Sequence, residues 1–102
     1  MAKWVKVAST DEVPTGEGKY VDVDGEPIAL FHVDGHYYAI SDVCTHEESS
    51  LAEGELEGDV VECALHGARF NVRTGDVVAL PAVVPVQTYP VRVVGNEIEV
   101  EV

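Results

Sequence analysis

Turn-forming pairs divide the sequence into short runs of β-type residues, and this division restricts the possible folds more than any other feature. Short runs of valine, isoleucine and aromatic residues, separated by glycine, proline, asparagine and aspartate, are typical of antiparallel strands. The predicted strands are Trp4–Val7, Lys19–Val23, Pro27–Val33, His36–Ile40, Val60–Cys63, Arg69–Val72, Thr88–Val94 and Glu97–Val102. No stretch of about a dozen residues repeats apolar positions at helical spacing, so at most a helical turn is expected near Ser9–Val13 or Ser50–Glu53. The sequence therefore predicts an all-β fold, a small sandwich or barrel.

Two pairs of these predicted strands are joined by two-residue turns, at Asp34-Gly35 and at Gly95-Asn96. Such pairs favour tight hairpins, because aspartate, asparagine and glycine tolerate the positive φ angles that the turn requires. The last run, Glu97–Val102, alternates glutamate with isoleucine or valine, which predicts one exposed and one buried face. No internal repeat or linker divides the chain, and its length suits one domain. We therefore expect residues 1–102 to form a single domain.

The chain is strongly acidic, with 19 Asp and Glu residues against 6 Lys and Arg and a formal charge of −13. A surface of that charge repels phosphate groups, so nucleic acid and anionic membranes are not expected as partners. The acidity can serve solubility alone, and a basic protein partner is the alternative.

No segment predicts a membrane span. The longest apolar candidate, Val77–Val86, is about half the length that a span needs and contains two prolines. The N-terminal residues lack the apolar stretch of a secretory signal, so the cytoplasm is the expected compartment. Two cysteines offer no disulfide framework, and a reducing compartment disfavours even one bridge. The cysteines therefore need another explanation.

Each of these two cysteines has a histidine close by, in the spacing C-x-H-x16-C-x-x-H. The four residues are Cys44, His46, Cys63 and His66. Thiolate and imidazole bind soft and borderline metals, and four of them complete one tetrahedral ion or one mixed-ligand cluster. A lone cysteine is more often a small buried apolar residue. Two cysteines that each have a neighbouring histidine indicate a metal centre instead.

The pairing of the ligands distinguishes between possible metals. A zinc finger typically takes two cysteines from one hairpin and two histidines from a following helix, and no helix is predicted after His66. In a Rieske [2Fe–2S] centre each loop gives one thiolate and one imidazole, which is the pairing found here. His32 and His36 have no cysteine near them, so they are expected to be ordinary surface or hydrogen-bonded residues.

Over essentially its whole length, the chain resembles the Rieske-type ferredoxins of bacterial ring-hydroxylating dioxygenase systems. The similarity extends beyond the four ligands through the stretch E-G-x-L-E-G-D-V-V-E-C-x-L-H-x-x-R-F-x-V-R-T-G, from Glu53 to Gly75. The resemblance implies a Rieske-like antiparallel β-sandwich or barrel with a small cluster-binding subdomain, formed by loops around 43–49 and 62–70. It also implies that Leu80-Pro81-Ala82 shields the cluster as a third loop, although a plain turn is the alternative.

The chain departs from two relatives of that family. Respiratory Rieske proteins of high potential join their two cluster loops by a disulfide. The resemblance places Ser49 and Leu65 of this chain at the positions of those two cysteines. Those proteins also donate hydrogen bonds to the cluster sulfurs from a serine and a tyrosine, where this chain has Ala68 and Phe70. Terminal oxygenases with a Rieske domain carry a second, catalytic iron domain, for which 102 residues leave no room.

The resemblance therefore implies an electron carrier and not an enzyme. One [2Fe–2S] cluster is expected to take single electrons from a flavin-containing, nicotinamide-dependent ferredoxin reductase and pass them to a terminal aromatic-ring dioxygenase. His46 and His66 are the expected points of electron entry and exit, because neutral imidazole ligands make their iron the easier one to reduce. A monomer is expected. The alternatives are the Rieske-like small subunit of another redox enzyme such as nitrite reductase, a zinc-stabilised interaction module and a cluster-bearing redox sensor.

Overall fold

Antiparallel strands make up most of the described chain, which in this computed structural model covers residues 3–43, 50–63, 67–79 and 84–102. The strands are β1 (Trp4–Ser9), β2 (Gly18–Val23), β3 (Glu26–Val33), β4 (His36–Ser41), β5 (Glu55–Glu57), β6 (Val60–Glu62), β7 (Arg69–Asn71), β8 (Val77–Ala79), β9 (Thr88–Tyr89), β10 (Val91–Val94) and β11 (Glu97–Glu101). Two short 3₁₀ helices, Thr10–Glu12 and Leu51–Glu53, lie between strands. The all-β prediction is confirmed.

The described strands form three antiparallel sheets. The outer sheet has the order β1-β11-β10, the middle sheet β2-β3-β4-β9 and the loop-bearing sheet β5-β6-β7-β8. Strand β1 contacts β2, and β10 contacts β4, so the outer and middle sheets meet along two edges as in an incomplete barrel. The loop-bearing sheet packs on the other face of the middle sheet.

Strand β3 shows how the middle sheet packs against the outer sheet on one face and the loop-bearing sheet on the other. Successive side chains of a strand point to opposite faces, and Ile28 and Leu30 are buried in a core shared with the outer sheet. Ala29 and Phe31 point the other way, into a core shared with the loop-bearing sheet. We call these the outer core and the loop-side core. All four side chains have no exposed surface, so the middle sheet is covered on both faces.

Most of the predicted strands are present, and the differences are local. The predicted strand Thr88–Val94 is divided at Pro90 into β9, which pairs with β4, and β10, which pairs with β11. Strands β5 and β8 were not predicted, and each has only three residues. The two short 3₁₀ helices occupy the places where helical turns were expected. At the Asp34-Gly35 turn both φ angles are positive, 48° and 81°, as a type I′ hairpin requires.

The regions of the predicted ligand loops lie at the ends of these strands. Residues 44–49 follow β4, residues 64–66 lie between β6 and β7, and residues 80–83 follow β8. Strand β6 extends to Glu62 and β7 begins at Arg69, so both ends of the second predicted loop, around 62–70, overlap strands. In the part of the chain that the structure describes, no helix is long and apolar enough to cross a membrane.

Candidate metal centre

Cys63 lies at the end of β6, at the start of a tight turn into β7. Its backbone N–H donates to the carbonyl of Ala68 at 2.7 Å, and its carbonyl accepts from the N–H of Gly67 at 3.1 Å. Gly67 has a φ of 74°, which a residue with a Cβ rarely adopts. Cys63 is 1% exposed and belongs to the loop-side core. The turn therefore fixes the backbone of one predicted ligand in an apolar environment.

The other three predicted ligands, Cys44, His46 and His66, lie outside the described residues. The same is true of Ser49, Leu65 and the predicted shielding segment Leu80-Pro81-Ala82. The described residues that flank them show how each loop begins and ends.

The first loop is closed at its base by an antiparallel bridge between Val43 and Ser50. The chain then enters the 3₁₀ helix Leu51–Glu53, whose Leu51 is fully buried in the same loop-side core as Cys63. The residues that leave the first loop and the cysteine that begins the second therefore share one core.

Gly54 brings the two loop bases into direct contact. It ends the 3₁₀ helix, and a Cβ added to it would lie 2.2 Å from the carbonyl oxygen of Glu62, the residue before Cys63. Because its φ of −76° suits any residue, glycine is required here for space and not for backbone conformation. The family-like stretch from Glu53 to Gly75 includes Gly54, but the sequence does not show that its role is to leave room for the Glu62 carbonyl.

Ala68 and Phe70 have no exposed surface and pack in the loop-side core with Cys63. Neither side chain carries a hydroxyl, so neither can donate a hydrogen bond to a sulfur. The second loop is thus bordered by apolar side chains at both positions.

The exposed face of the loop-bearing sheet carries much of the acidity of this region. Glu55, Glu57 and Glu62 line a cleft of 210 Å³ together with Val60, Arg69 and Val78. Arg69 donates from Nε to Glu62 at 2.9 Å. Glu55 and Glu57 are exposed. The cleft therefore presents a negative surface beside the turn that holds Cys63.

The two remaining histidines are ordinary residues, as expected, one of them hydrogen-bonded and the other exposed. His32 places Nδ1 2.8 Å from the carbonyl of Val13 and stacks on the ring of Tyr37, with the centroids 4.2 Å apart. His36 is exposed at the start of β4. Away from the loops, burial and the neighbouring Glu26 carboxylate raise the pKa of Tyr89.

Within residues 3–43, 50–63, 67–79 and 84–102, no group of three or more His, Cys, Asp or Glu side chains is placed to hold a metal ion. Three of the four predicted ligands lie outside these ranges, so the two cysteine and histidine pairs remain the predicted donor set of the loops. Two thiolates and two neutral imidazoles are the ligands of a Rieske cluster, and the buried, backbone-anchored Cys63 suits a ligand of that kind. The donor chemistry and the described geometry fit an iron–sulfur protein with electron-transfer function.

Comparison with known proteins agrees with this class. The family model described as the Rieske [2Fe–2S] domain matches residues 3–90. The chain belongs to that family, and a single [2Fe–2S] cluster is its cofactor.

Related proteins narrow the class further. The chain is 48% identical over 99 residues to the biphenyl dioxygenase ferredoxin subunit of Pseudomonas sp. strain KKS102, covering 96% of this chain and 91% of the relative. A ferredoxin-sized chain in a structure of the complex of reduced oxygenase and oxidized ferredoxin in carbazole 1,9a-dioxygenase superposes with a TM-score of 0.91. That chain is 40% identical, and the match covers 95% of this chain and 91% of that one. These relatives are electron-transfer components and not catalytic enzymes.

The chain is less similar in sequence to a nitrite reductase small subunit, the alternative identity, than to the dioxygenase ferredoxins. A structure described as an NADH-dependent nitrite reductase small subunit from Mycobacterium tuberculosis superposes with a TM-score of 0.88 at 25% identity, covering 99% of this chain and 96% of that one. The fold is shared, but the sequence is closer to the dioxygenase ferredoxins. Membership of the Rieske family also disfavours the zinc-stabilised interaction module.

Proposed function

We propose that Cys44, His46, Cys63 and His66 hold the cluster, and that the chain carries single electrons to the terminal oxygenase of an aromatic-ring dioxygenase system. The observation that carries the proposal is the turn at Cys63, which fixes a buried cysteine next to the base of the loop that contains Cys44 and His46. A [2Fe–2S] cluster supplies one-electron redox chemistry when bound.

The side chains around the proposed ligands determine how water and partner proteins can approach the cluster. The apolar side chains of Ala68 and Phe70 exclude water from one side of the turn at Cys63. The imidazoles of His46 and His66 are neutral ligands, each with a second ring nitrogen that can face a partner. Electron entry and exit are therefore proposed at these two histidines.

The proposed electron donor is a flavin-containing, nicotinamide-dependent ferredoxin reductase, and the proposed acceptor is the oxygenase component. The carbazole dioxygenase complex supports the acceptor, because in it a similar ferredoxin is bound to its oxygenase. We place the carrier in the reducing cytoplasm, where cysteines stay reduced and can serve as thiolate ligands.

The ligand set is tested by analysis of the purified chain. We expect two irons and two acid-labile sulfides per chain, and loss of the normal paramagnetic resonance signal of the reduced protein when His46 or His66 is changed to alanine. His36→Ala, at an exposed histidine of β4, is the matched control and should keep the signal. Stoichiometric zinc without iron, or a normal signal in His46→Ala, would contradict the proposal.

The partners are tested by reconstitution with a reductase and an aromatic-ring dioxygenase from related systems. Hydroxylated product should form only when this chain is added, and His66→Ala should not replace it. Reduction of the chain by the reductase without any oxygenase activity, followed by activity with a nitrite reductase large subunit, would instead favour the nitrite reductase alternative.

A further inference from the structure

Asp42 is the one charged side chain, among the described residues, that is buried; only 5% of it is exposed. Removing a carboxylate from water costs several kcal/mol unless it is well hydrogen-bonded. In a chain of charge −13 there are many exposed positions for an acidic residue. The burial of Asp42 two residues before Cys44 therefore needs a structural reason.

The hydrogen bonds of Asp42 connect the two ends of the first loop. Its Oδ1 accepts from Ser50 Oγ at 2.9 Å and from the N–H of Ala52 at 2.8 Å. Its backbone carbonyl accepts from the N–H of Leu51 at 2.7 Å. Three consecutive residues after the loop are thus bound to one residue before it.

Asp42 is itself anchored to the middle sheet. Its N–H donates at 2.9 Å to the carbonyl of Pro27, which lies in β3. The Val43 and Ser50 bridge follows immediately. The entry and exit of the first loop are therefore fixed relative to the best-buried strand of the fold.

The same segment also sets the position of the second loop. The 3₁₀ helix that begins at Leu51 ends at Gly54, whose N–H donates to the Leu51 carbonyl at 3.0 Å. Gly54 in turn lies directly against the carbonyl of Glu62, next to Cys63. A continuous series of contacts thus runs from Asp42 through the 3₁₀ helix to the residue before Cys63.

We propose that Asp42 is a positioning residue that fixes the first ligand loop relative to the second, through the Ser50, Leu51 and Ala52 hydrogen bonds. Its described hydrogen bonds run to residues on either side of Cys44 and His46, and it acts through them. The proposal rests on the ligand set given under the proposed function. Groups that orient metal ligands from outside the coordination shell typically change metal affinity by about 10- to 100-fold when they are removed.

The experiment uses the full chain with its cluster and compares Asp42→Ala with Asp42→Asn. Both variants remove the charge, but only asparagine keeps an oxygen that can accept from Ser50 and Ala52. We expect iron loss to a chelator to be about 10-fold or more faster in Asp42→Ala, with a shifted or broadened resonance signal. Asp42→Asn should restore most of the retention and the signal shape.

Glu12→Ala is the matched control, because the Glu12 carboxylate also accepts from a backbone N–H, that of Ser9 at 2.7 Å, but lies away from the loops. It should leave iron loss and the resonance signal unchanged. If Asp42→Ala fails to fold, Ser50→Ala decides the question, since it removes one of the two hydrogen bonds to Oδ1. A several-fold faster iron loss at unchanged melting temperature supports the proposal.

The proposal would be overturned if Asp42→Ala lost iron at the same rate as Glu12→Ala and gave the same resonance signal. If Asp42→Ala is unfolded, unchanged iron loss in Ser50→Ala would overturn it instead. Equal damage in Asp42→Asn and Asp42→Ala would also overturn it, because the charge and not the hydrogen bonds would then matter. Failure of the proposed function looks different: the parent chain itself would contain no iron and sulfide.

Discussion

Ala68 and Phe70 determine which hydrogen bonds the second loop can offer. Both are fully buried beside Cys63 and neither has a hydroxyl. Reduction adds negative charge, so a hydroxyl donor aimed at a cluster sulfur stabilises the reduced state and raises the potential. The absence of these donors, together with the formal charge of −13, favours a potential in the negative part of the Rieske range.

We expect Ala68→Ser with Phe70→Tyr to raise the reduction potential by about 30–60 mV per hydrogen bond formed, since about 59 mV for one electron corresponds to about 1.4 kcal/mol. Protein-film voltammetry on the parent and the double variant measures this. Ala8→Ser, which adds a hydroxyl to the outer core, is the control and should leave the potential unchanged. A parent potential above about +100 mV would show that the low-potential assignment is wrong.

Gly54 gives a second prediction at the level of single residues. A methyl group there meets the Glu62 carbonyl oxygen, so Gly54→Ala must displace either the exit of the first loop or the residue before Cys63. We expect the free energy of unfolding to fall by about 1–3 kcal/mol and the iron content to fall with it. Gly16→Ala, at a φ of 85° with open space around it, tests backbone strain alone and should keep full iron content. Full iron content in Gly54→Ala would argue against a rigid contact between the loop bases.

At the scale of elements, the sequence predicted the strands whose own residues favour the β conformation. Strand β5 escaped prediction because two of its three residues are glutamates, which are depleted in strands, and both β5 and β8 form through pairing with β6 and β7. The division at Pro90 was missed because β-type residues flank the proline on both sides, although proline is disfavoured inside a strand and the two halves pair with different sheets. Local composition records the tendency to form a strand but not the partner.

The same limit applies to the candidate site. Cys63 was predicted as a ligand from its spacing to His66, which is a local pattern. The roles inferred for Asp42 and Gly54 depend on contacts with Ser50 and Glu62, each eight residues away along the chain, and neither residue type is unusual for a loop. Positioning contacts of this kind become visible only when the chain is folded.

The acidic hairpin β5–β6 makes a prediction about association. Seven acidic residues and no basic residue lie between His46 and Cys63. Glu62 is paired with Arg69, but Glu55 and Glu57 are exposed on the same cleft. Attraction to a basic partner weakens with salt, because the Debye length falls from about 30 Å at 0.01 M to about 10 Å at 0.1 M ionic strength.

We therefore expect electron transfer from the reductase to slow as the ionic strength rises, and Glu55→Gln with Glu57→Gln to reduce the salt dependence of the rate. Stopped-flow reduction at several salt concentrations measures it. Asp11→Asn with Asp34→Asn removes the same charge at the opposite end of β4 from the first loop and should change the salt dependence little. An equal effect of both pairs would show that only the net charge matters and that the hairpin is not the docking surface.

At the scale of the whole molecule, the two cores divide the described fold into parts with different dependence on the cluster. The outer core joins the outer and middle sheets and contains no predicted ligand. The loop-side core contains Cys63 and supports a sheet whose strands have only three residues each. Such short strands bury little surface by themselves, so the loop-bearing sheet should rely on the metal centre to close its loops.

Removal of the cluster should therefore loosen the loop-bearing sheet before the rest of the fold. Hydrogen exchange followed by mass spectrometry, on the loaded chain and on the same chain after iron is removed, measures the protection of each segment. We expect peptides covering β5–β8 to lose at least about tenfold in protection, which is about 1.4 kcal/mol of local stability, while peptides covering β1, β10 and β11 change little. The outer sheet serves as the internal control, because neither its strand pairing nor its core involves a predicted ligand. A uniform loss of protection across all three sheets would mean that the middle sheet couples the two cores into one cooperative unit and that the cluster stabilises the entire fold.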